Sequence, residues 1–245
     1  MAKLVYPEAK YFKEIIDALG KLVDEVAFQI KQDGLKVVAL DPAKVALINI
    51  DIPMTAFLEY DVPEETVAGL STASLSKMLK KIKKGDKFVM SVEEDRVEII
   101  IESIGKRIYR FRNLDVPIPE IPETQLEFNV KAQVLIDVIK QALKDAETVG
   151  EFLEVEAPDN ETLYLRGKGA TVAETKLVVG MPALVSLEVK EPSKSTYQIE
   201  YLKYVAGITK IAELATLRFS SDAPLELEFS LGEGRIKYLL APAAI

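Results

Sequence analysis

Apolar positions recur at two periods along this chain, and the switching between them lays out its elements. Over residues 8–20, Phe12, Ile15, Ile16 and Leu19 return at helical spacing, with Lys10, Lys13, Glu14 and Asp17 across the wheel. The pattern predicts an amphipathic helix ended by Gly20. Val26, Phe28 and Ile30 then alternate, Asp33-Gly34 supplies a turn and residues 35–40 return, as in a hairpin. Strands are predicted over 45–52, 66–70, 87–92, 96–102 and 106–112. Between them, Leu75, Met78, Leu79 and Ile82 make an apolar stripe that predicts a helix over 72–84, capped by Thr72 or Ser74.

The pattern then restarts. Leu135, Val138, Ile139, Ala142 and Leu143 predict a helix over 133–146, and strands follow at 152–157, 162–166, 172–179 and 185–189. A second helix is predicted over 200–214, with Leu202, Val205, Ala206 and Thr209 inward and Lys203 and Lys210 outward. Strands at 215–220, 225–231 and 235–240 close the chain. Both halves share this order, and Val97-Glu98-Ile99-Ile100-Ile101 with Arg107-Ile108 is echoed by Leu225-Glu226-Leu227-Glu228-Phe229 with Arg235-Ile236. An offset near half the chain reads as a duplication. It predicts two similar α+β domains, 1–112 and 126–245, each a sheet with two helices on one face.

Residues 113–125 join them. Pro117, Pro119 and Pro122 remove backbone donors and push their predecessors out of helical space, so this piece is extended. Asp115, Glu120 and Glu123 keep it in water, yet Val116, Ile118 and Ile121 alternate along it, which a pure spacer would not need. It reads as a semi-rigid strap offering apolar side chains, or more plainly as an acidic Pro-rich linker.

Composition removes most chemistry. Among 245 residues there is no cysteine, histidine or tryptophan, which excludes disulfides, thiol nucleophiles, Cys/His zinc sites and histidine acid–base catalysis. No Gly-rich phosphate loop appears, and Gly167-Lys168-Gly169 lacks the required spacing and following helix. Glu93-Glu94-Asp95 falls in an expected hairpin turn. Carboxylate-held metal is the one catalytic option left, so no enzyme, cofactor or metal is expected. Neither a signal peptide nor a membrane span is seen, so a cytoplasmic, nucleoid-associated protein with no membrane partner is expected. The net charge is −8, yet residues 72–84 carry five lysines and no acid. Each other predicted helix also has lysine on its outer face. A basic helical layer backed by acidic sheets suits a protein that meets phosphate on one side only.

The chain resembles the DNA sliding clamps of archaea and eukaryotes, the proliferating cell nuclear antigen family. The likeness rests on Leu40-Asp41 before Val45-Ala46-Leu47, on Ser74-Leu75-Ser76-Lys77-Met78-Leu79-Lys80, on Asn113-Leu114-Asp115-Val116, on Ser221-Asp222-Ala223-Pro224-Leu225 and on Tyr238-Leu239-Leu240-Ala241-Pro242. It implies a trimeric ring with helices lining the hole and sheets outside, in which the strap is a docking connector. By resemblance Lys13, Lys77, Lys80 and Lys144 face DNA, and the helical wheel adds Lys81, Lys84, Lys140 and Lys210. Leu40, Val45, Leu47, Ile121, Pro224, Ala241 and Pro242 fall on the client-peptide pocket, to which Leu239 and the strap's Ile118 are added. Gly207 and Glu14 stand where eukaryotic members have lysines, Leu239 replaces a tyrosine, and Asp159 occupies the place of their ubiquitin-accepting lysine.

Two edge strands are expected to join subunits, one bearing Arg107, Tyr109, Arg110 and Phe111, the other Thr175, Leu177 and Val179. The implied partners are double-stranded DNA bound without sequence preference, a clamp loader, and DNA polymerase, flap endonuclease and DNA ligase through short peptide motifs. The ring is either a homotrimer or a heterotrimer with paralogues. Competing readings are a carboxylate-dependent nuclease with a basic groove and a protein scaffold that binds no DNA.

Overall fold

A computed structural model describes residues 1–121 and 126–243, and the chain divides into two compact units. The first comprises residues 1–120 with 231–236; the second comprises 121–230 with 237–245. Pro122 and Glu123 of the strap, and the apolar end Ala244-Ile245, lie outside the described residues.

In chain order the first unit runs β1 (Ala2–Tyr6), α1 (Ala9–Leu22), β2 (Glu25–Lys31), β3 (Gly34–Leu40), β4 (Ala46–Pro53), β5 (Glu59–Asp61), β6 (Thr66–Ser71), α2 (Thr72–Leu79), β7 (Lys87–Val92), β8 (Arg96–Glu102) and β9 (Lys106–Arg112). One run of strands has the order β5-β1-β7-β8-β9, the other β4-β3-β2-β6, all antiparallel. The predicted stripe of α1 is its buried face: Phe12, Ile15, Ile16 and Leu19 are each at most 2% exposed. Phe12 stacks on Phe88 of β7 with ring centroids 4.0 Å and planes 6° apart, and Tyr6 meets it edge-on at 5.3 Å.

Several expectations shift here. Gly20 does not end α1, which runs on to bury Leu22 and closes with the Val23 N–H donating to Leu19 O at 2.9 Å. Glu14, expected outward, is buried beside Lys13. The first hairpin turns at Gln32–Asp33, because Gly34 already pairs with Lys31. Ser71, not Thr72 or Ser74, caps α2 by accepting from the Ser74 N–H. That helix stops at Leu79 rather than residue 84. Lys80, Lys81, Lys83 and Lys84 would repel one another at helical spacing. The chain turns instead, and its amides go to the Glu8 and Asp86 carboxylates.

The second unit repeats the first element for element. It runs β10 (Val130–Leu135), α3 (Ile136–Glu147), β11 (Phe152–Ala157), β12 (Thr162–Lys168), β13 (Val172–Val178), β14 (Leu184–Val189), β15 (Ser193–Gln198), α4 (Ile199–Leu202), β16 (Leu214–Phe219), β17 (Leu225–Leu231) and β18 (Gly234–Leu240). Its strand orders, β14-β10-β16-β17-β18 and β13-β12-β11-β15, match those of the first unit position by position. The topology therefore carries the duplication that the sequence only echoes.

The expected helices fare less well in this unit. The predicted helix begins at Ile136, since residues 133–135 belong to β10, held between β14 and β16. The helix predicted over 200–214 is four residues of α4 followed by two 3-10 turns, Lys203–Val205 and Ile208–Lys210. Gly207 and the β-branched Val205, Ile208 and Thr209 have weak helix propensity. The Thr209 hydroxyl donates to Ala206 O at 2.6 Å, offering the backbone a local alternative.

The stacked ring at the centre of the first unit sets its stability. Phe12→Ala should lower the unfolding free energy by about 3–5 kcal/mol, read as a lower denaturant midpoint by far-UV circular dichroism. An unchanged midpoint would mean that Phe12 is not part of a close-packed core.

Candidate nucleic-acid interface and strap

In the first unit the lysines gather at the end of α2. Lys77 lies in its last turn, where a cation complements the exposed carbonyls, and Lys80, Lys81 and Lys84 follow on the irregular segment. All four are exposed, and none of their ammonium groups makes an ion pair among the described residues. The segment is nevertheless held. Buried Asp86 accepts from the Lys83 N–H at 3.1 Å and from Arg107 of β9 at 2.9 Å, while Arg107 also reaches Lys81 O at 3.4 Å. α1 and α2 are tied by the Ser76 hydroxyl donating to Asp17 at 2.8 Å.

Lys13 differs from the others. Its ammonium sits 3.1 Å from both Glu14 and Asp17 and its side chain is 24% exposed. Burial alone would lower its pKa, but the hydrogen bonds to Asp17 and Glu14 hold it above the ordinary lysine value. Its charge is already engaged, so it offers a phosphate less than its neighbours do.

In the second unit Lys140 is half-buried and Lys144 exposed on α3, and Lys210 is exposed on the last 3-10 turn. Lys203, outward as expected, pairs with Glu147 at 2.5 Å. Because the helix after β15 breaks, it does not fill the space against α3. A cavity of about 220 Å³ remains, walled by Ile139, Leu143, Leu202 and Val205 with Lys140 and Lys144 beside them.

The strap follows β9 and is held at its root against β6. Val116, Pro117 and Pro119 line a groove of about 550 Å³ together with Val26, Ala27, Val38, Leu40 and Pro42, with the exposed Asp24 and Glu25 beside it. Ile118 and Ile121 are 40% and 39% exposed, high for apolar side chains of this size. Leu40, Val45 and Leu47 are half-buried around a turn organised by Asp41. The buried Asp41 carboxylate accepts from the amides of Ala43 at 3.1 Å and of Val45 and Ala46 at 2.7 Å each. In the second unit Pro224, Leu239, Ala241 and Pro242 are half-buried. Adjacent residues of β15 hold the two ends of that group: the Tyr197 hydroxyl donates to Ala223 O at 2.9 Å, and Thr196 O accepts from Ala243 N–H at 2.8 Å.

Of the two proposed joining strands, β9 ends one sheet order and β13 ends another. On β9, Arg107, Tyr109 and Phe111 share the half-buried face, and Arg110 is exposed and paired with Glu98 at 2.8 Å. On β13, Thr175 is half-buried and Val179 lies one residue past the strand, 52% exposed. Leu177 corrects the sequence expectation: at 4% exposure its side chain belongs to the core of its own unit. Sequence reasoning passed over the exposed Ile108 and Val172 on these edges, at 47% and 62%. Strict period-two alternation from Tyr109 would have put Ile108 outward. It also passed over Gly69 and Asn113, which hold the root of the strap across a long sequence separation that no local pattern reveals.

The comparisons with known proteins agree along the chain. The family model for the N-terminal domain of proliferating cell nuclear antigen matches residues 1–117, and that for its C-terminal domain matches 166–243. DNA polymerase sliding clamp 1 of Aeropyrum pernix is 42% identical, covering 96% of this chain and 98% of its own. The DNA polymerase sliding clamp of Thermofilum pendens is 35% identical, covering 99% of each. Among solved structures, the proliferating cell nuclear antigen of Thermococcus kodakaraensis superposes with a TM-score of 0.93 at 28% identity, covering 99% of this chain and 100% of that one. A PCNA2–PCNA3 complex from Sulfolobus tokodaii gives 0.92 at 25% identity with the same coverage. The chain therefore belongs to the proliferating cell nuclear antigen family, the non-catalytic DNA polymerase sliding clamps.

Proposed function

We propose that this chain closes with two others into a ring around duplex DNA. A clamp loader opens it, and the ring tethers DNA polymerase, flap endonuclease and DNA ligase through short peptide segments. The observation that carries this reading is the repeated topology, in which a seven-residue strand ends a sheet order in each unit, β9 in the first and β13 in the second. Seven-residue edges of this kind need a partner, and pairing β9 of one chain with β13 of the next is a heterologous contact that generates a ring. The partner chains are copies of this one or paralogues, as in the Sulfolobus tokodaii complex.

Within the ring, Lys77, Lys80, Lys81, Lys84, Lys140, Lys144 and Lys210 meet the phosphates, with Lys13 a weaker contributor. Topology holds such a ring on DNA, so a few weak contacts suffice and a net charge of −8 is tolerable. The client-contacting residues are Leu40, Val45, Leu47 and Ile118 of the first unit and Ile121, Pro224, Leu239, Ala241 and Pro242 of the second, for a segment with glutamine, aliphatic and aromatic anchors. The metal-dependent nuclease reading gives way to membership in a non-catalytic family.

Strand polarity says where to break the ring. The Val179 N–H donates to Glu161 O on the β12 side at 2.8 Å, so the amides of Leu177 and Thr175 also face β12. Those of Glu174 and Lys176 face away. Lys176→Pro removes an outward donor and should weaken assembly at least about tenfold without unfolding the chain, by sedimentation equilibrium. Unchanged assembly would remove β13 from the interface.

For the lysines, the triple replacement of Lys77, Lys80 and Lys81 by alanine should flatten the log–log salt dependence of retention on duplex DNA. The expected change is about 0.9 per lost phosphate contact, with no sequence preference before or after. An unaltered slope would place the DNA elsewhere.

Burying one strap anchor in a client complex is worth about 1.5–3 kcal/mol. Ile121→Asp should therefore weaken a client-type peptide by at least about tenfold while folding and assembly persist. Equal affinity in a fluorescence titration would take the strap out of the site.

A further inference from the structure

β6 is the last strand in its sheet order, and the root of the strap covers its outer edge at Gly69 and Val67. The Gly69 N–H donates to the Asn113 side-chain carbonyl at 2.8 Å, and Gly69 O accepts from the Leu114 N–H at 2.9 Å. The same asparagine amide donates to Val67 O at 3.0 Å and reaches Glu94 O and Glu93 O at 3.3 and 3.4 Å. Its own N–H donates to Asp95 O at 2.9 Å. Asn113 thus ties the root of the strap both to the β6 edge and to the turn between β7 and β8, which belong to different sheets. Gly69 makes this approach possible. A Cβ there would stand 1.9 Å from Leu114 O and 3.0 Å from Val116 Cγ2. The first neighbour is backbone, so no side-chain rotation relieves it; the strap itself has to retreat.

We infer that Gly69 and Asn113 are positioning residues for client docking: they fix the point and direction from which the strap leaves the first unit. This rests on the reading of the strap as a docking element. The prolines keep the strap extended, but an extended segment on a loose root is straight without being aimed. A client peptide then has to order it on binding, which weakens affinity without removing a single peptide contact.

The chain contains no cysteine, so Glu120→Cys accepts one nitroxide at a unique place near the end of the described strap. Labelled protein is prepared with the native root, with Gly69→Ala and with Asn113→Ala. The label's mobility is read by electron paramagnetic resonance. Affinity is read by titrating a fluorescein-labelled peptide carrying one glutamine, one aliphatic and two aromatic anchors. Assembly mass and thermal midpoint identify any variant that fails to fold, in which case the other root variant carries the test. Both root variants should show a more mobile label and about tenfold weaker peptide binding, while Ile121→Asp loses binding with an unchanged label.

Root variants that bind the peptide as wild type while Ile121→Asp does not would overturn the inference and leave the strap reading intact. Weaker binding with an unchanged label would also overturn it, since the root would then not act through the direction of the strap. Wild-type binding by Ile121→Asp would instead sink the docking reading on which the inference rests.

Discussion

Every open β-sheet ends in strands whose outer amides and carbonyls lack partners, and this constraint shapes the whole chain. Each unit solves it differently at different edges. At β5 the edge is three residues long and offers little to pair with. The strap covers β6 by supplying Asn113 and Leu114 to both backbone groups of Gly69. Two seven-residue edges, β9 and β13, are the ones proposed to pair with other chains. The connector between domains is thus also a piece of edge protection, and its place against the sheet comes from a hydrogen-bonding requirement.

Charge is sorted by the same architecture. On the strands, acids are matched locally: Arg166 holds Glu154, Glu156 and Glu174, Lys168 reaches Glu154 at 2.6 Å, and Arg218 holds Glu226 and Glu228. Glu154 and Glu226 are buried, where an unpaired carboxylate is costly, so these basic residues satisfy their own sheet. Lys77, Lys80, Lys81, Lys84 and Lys144, at or just past helix ends, make no such pair among the described residues. A chain with an overall excess of acid can therefore present a positive face, because its cations on strands and on helices have different work.

Much of this was legible in the pattern of residues. The stripe of α1, the hairpins of the first unit and the repeat between halves all follow from periodicity, because those segments bury one face. The gaps have physical causes. β15 reads Ser-Lys-Ser-Thr-Tyr-Gln, and its buried Ser193 and Ser195 give no apolar alternation. β10 precedes α3 directly, so its apolar residues merge with the helical pattern, as with Leu135; β1 is only five residues long, too short for alternation to stand out. Overlong α2 and α4 came from extending a stripe across residues whose charges or branching oppose a helix. At the site, lysine content was visible but engagement was not: nothing local shows that Lys13 spends its charge on Asp17 while Lys77 does not. Leu177 lies on an edge strand, as the resemblance implies, while its side chain packs into its own core, which only the fold shows.

The early stop of α2 bears on how such a ring moves. Lysines on a rigid helix would meet the phosphates at fixed spacing and give an energy profile with wells at each nucleotide step. Lys80, Lys81 and Lys84 instead ride on an irregular segment whose backbone is anchored by Asp86 and Glu8, on long side chains with many rotamers. In the proposed ring each ammonium would follow one phosphate while its neighbour changed to the next, so the wells would fall out of step and the profile would flatten. Friction along the duplex would then stay low while attraction to it persisted, with diffusion limited by solvent drag instead of by the repeat of the DNA.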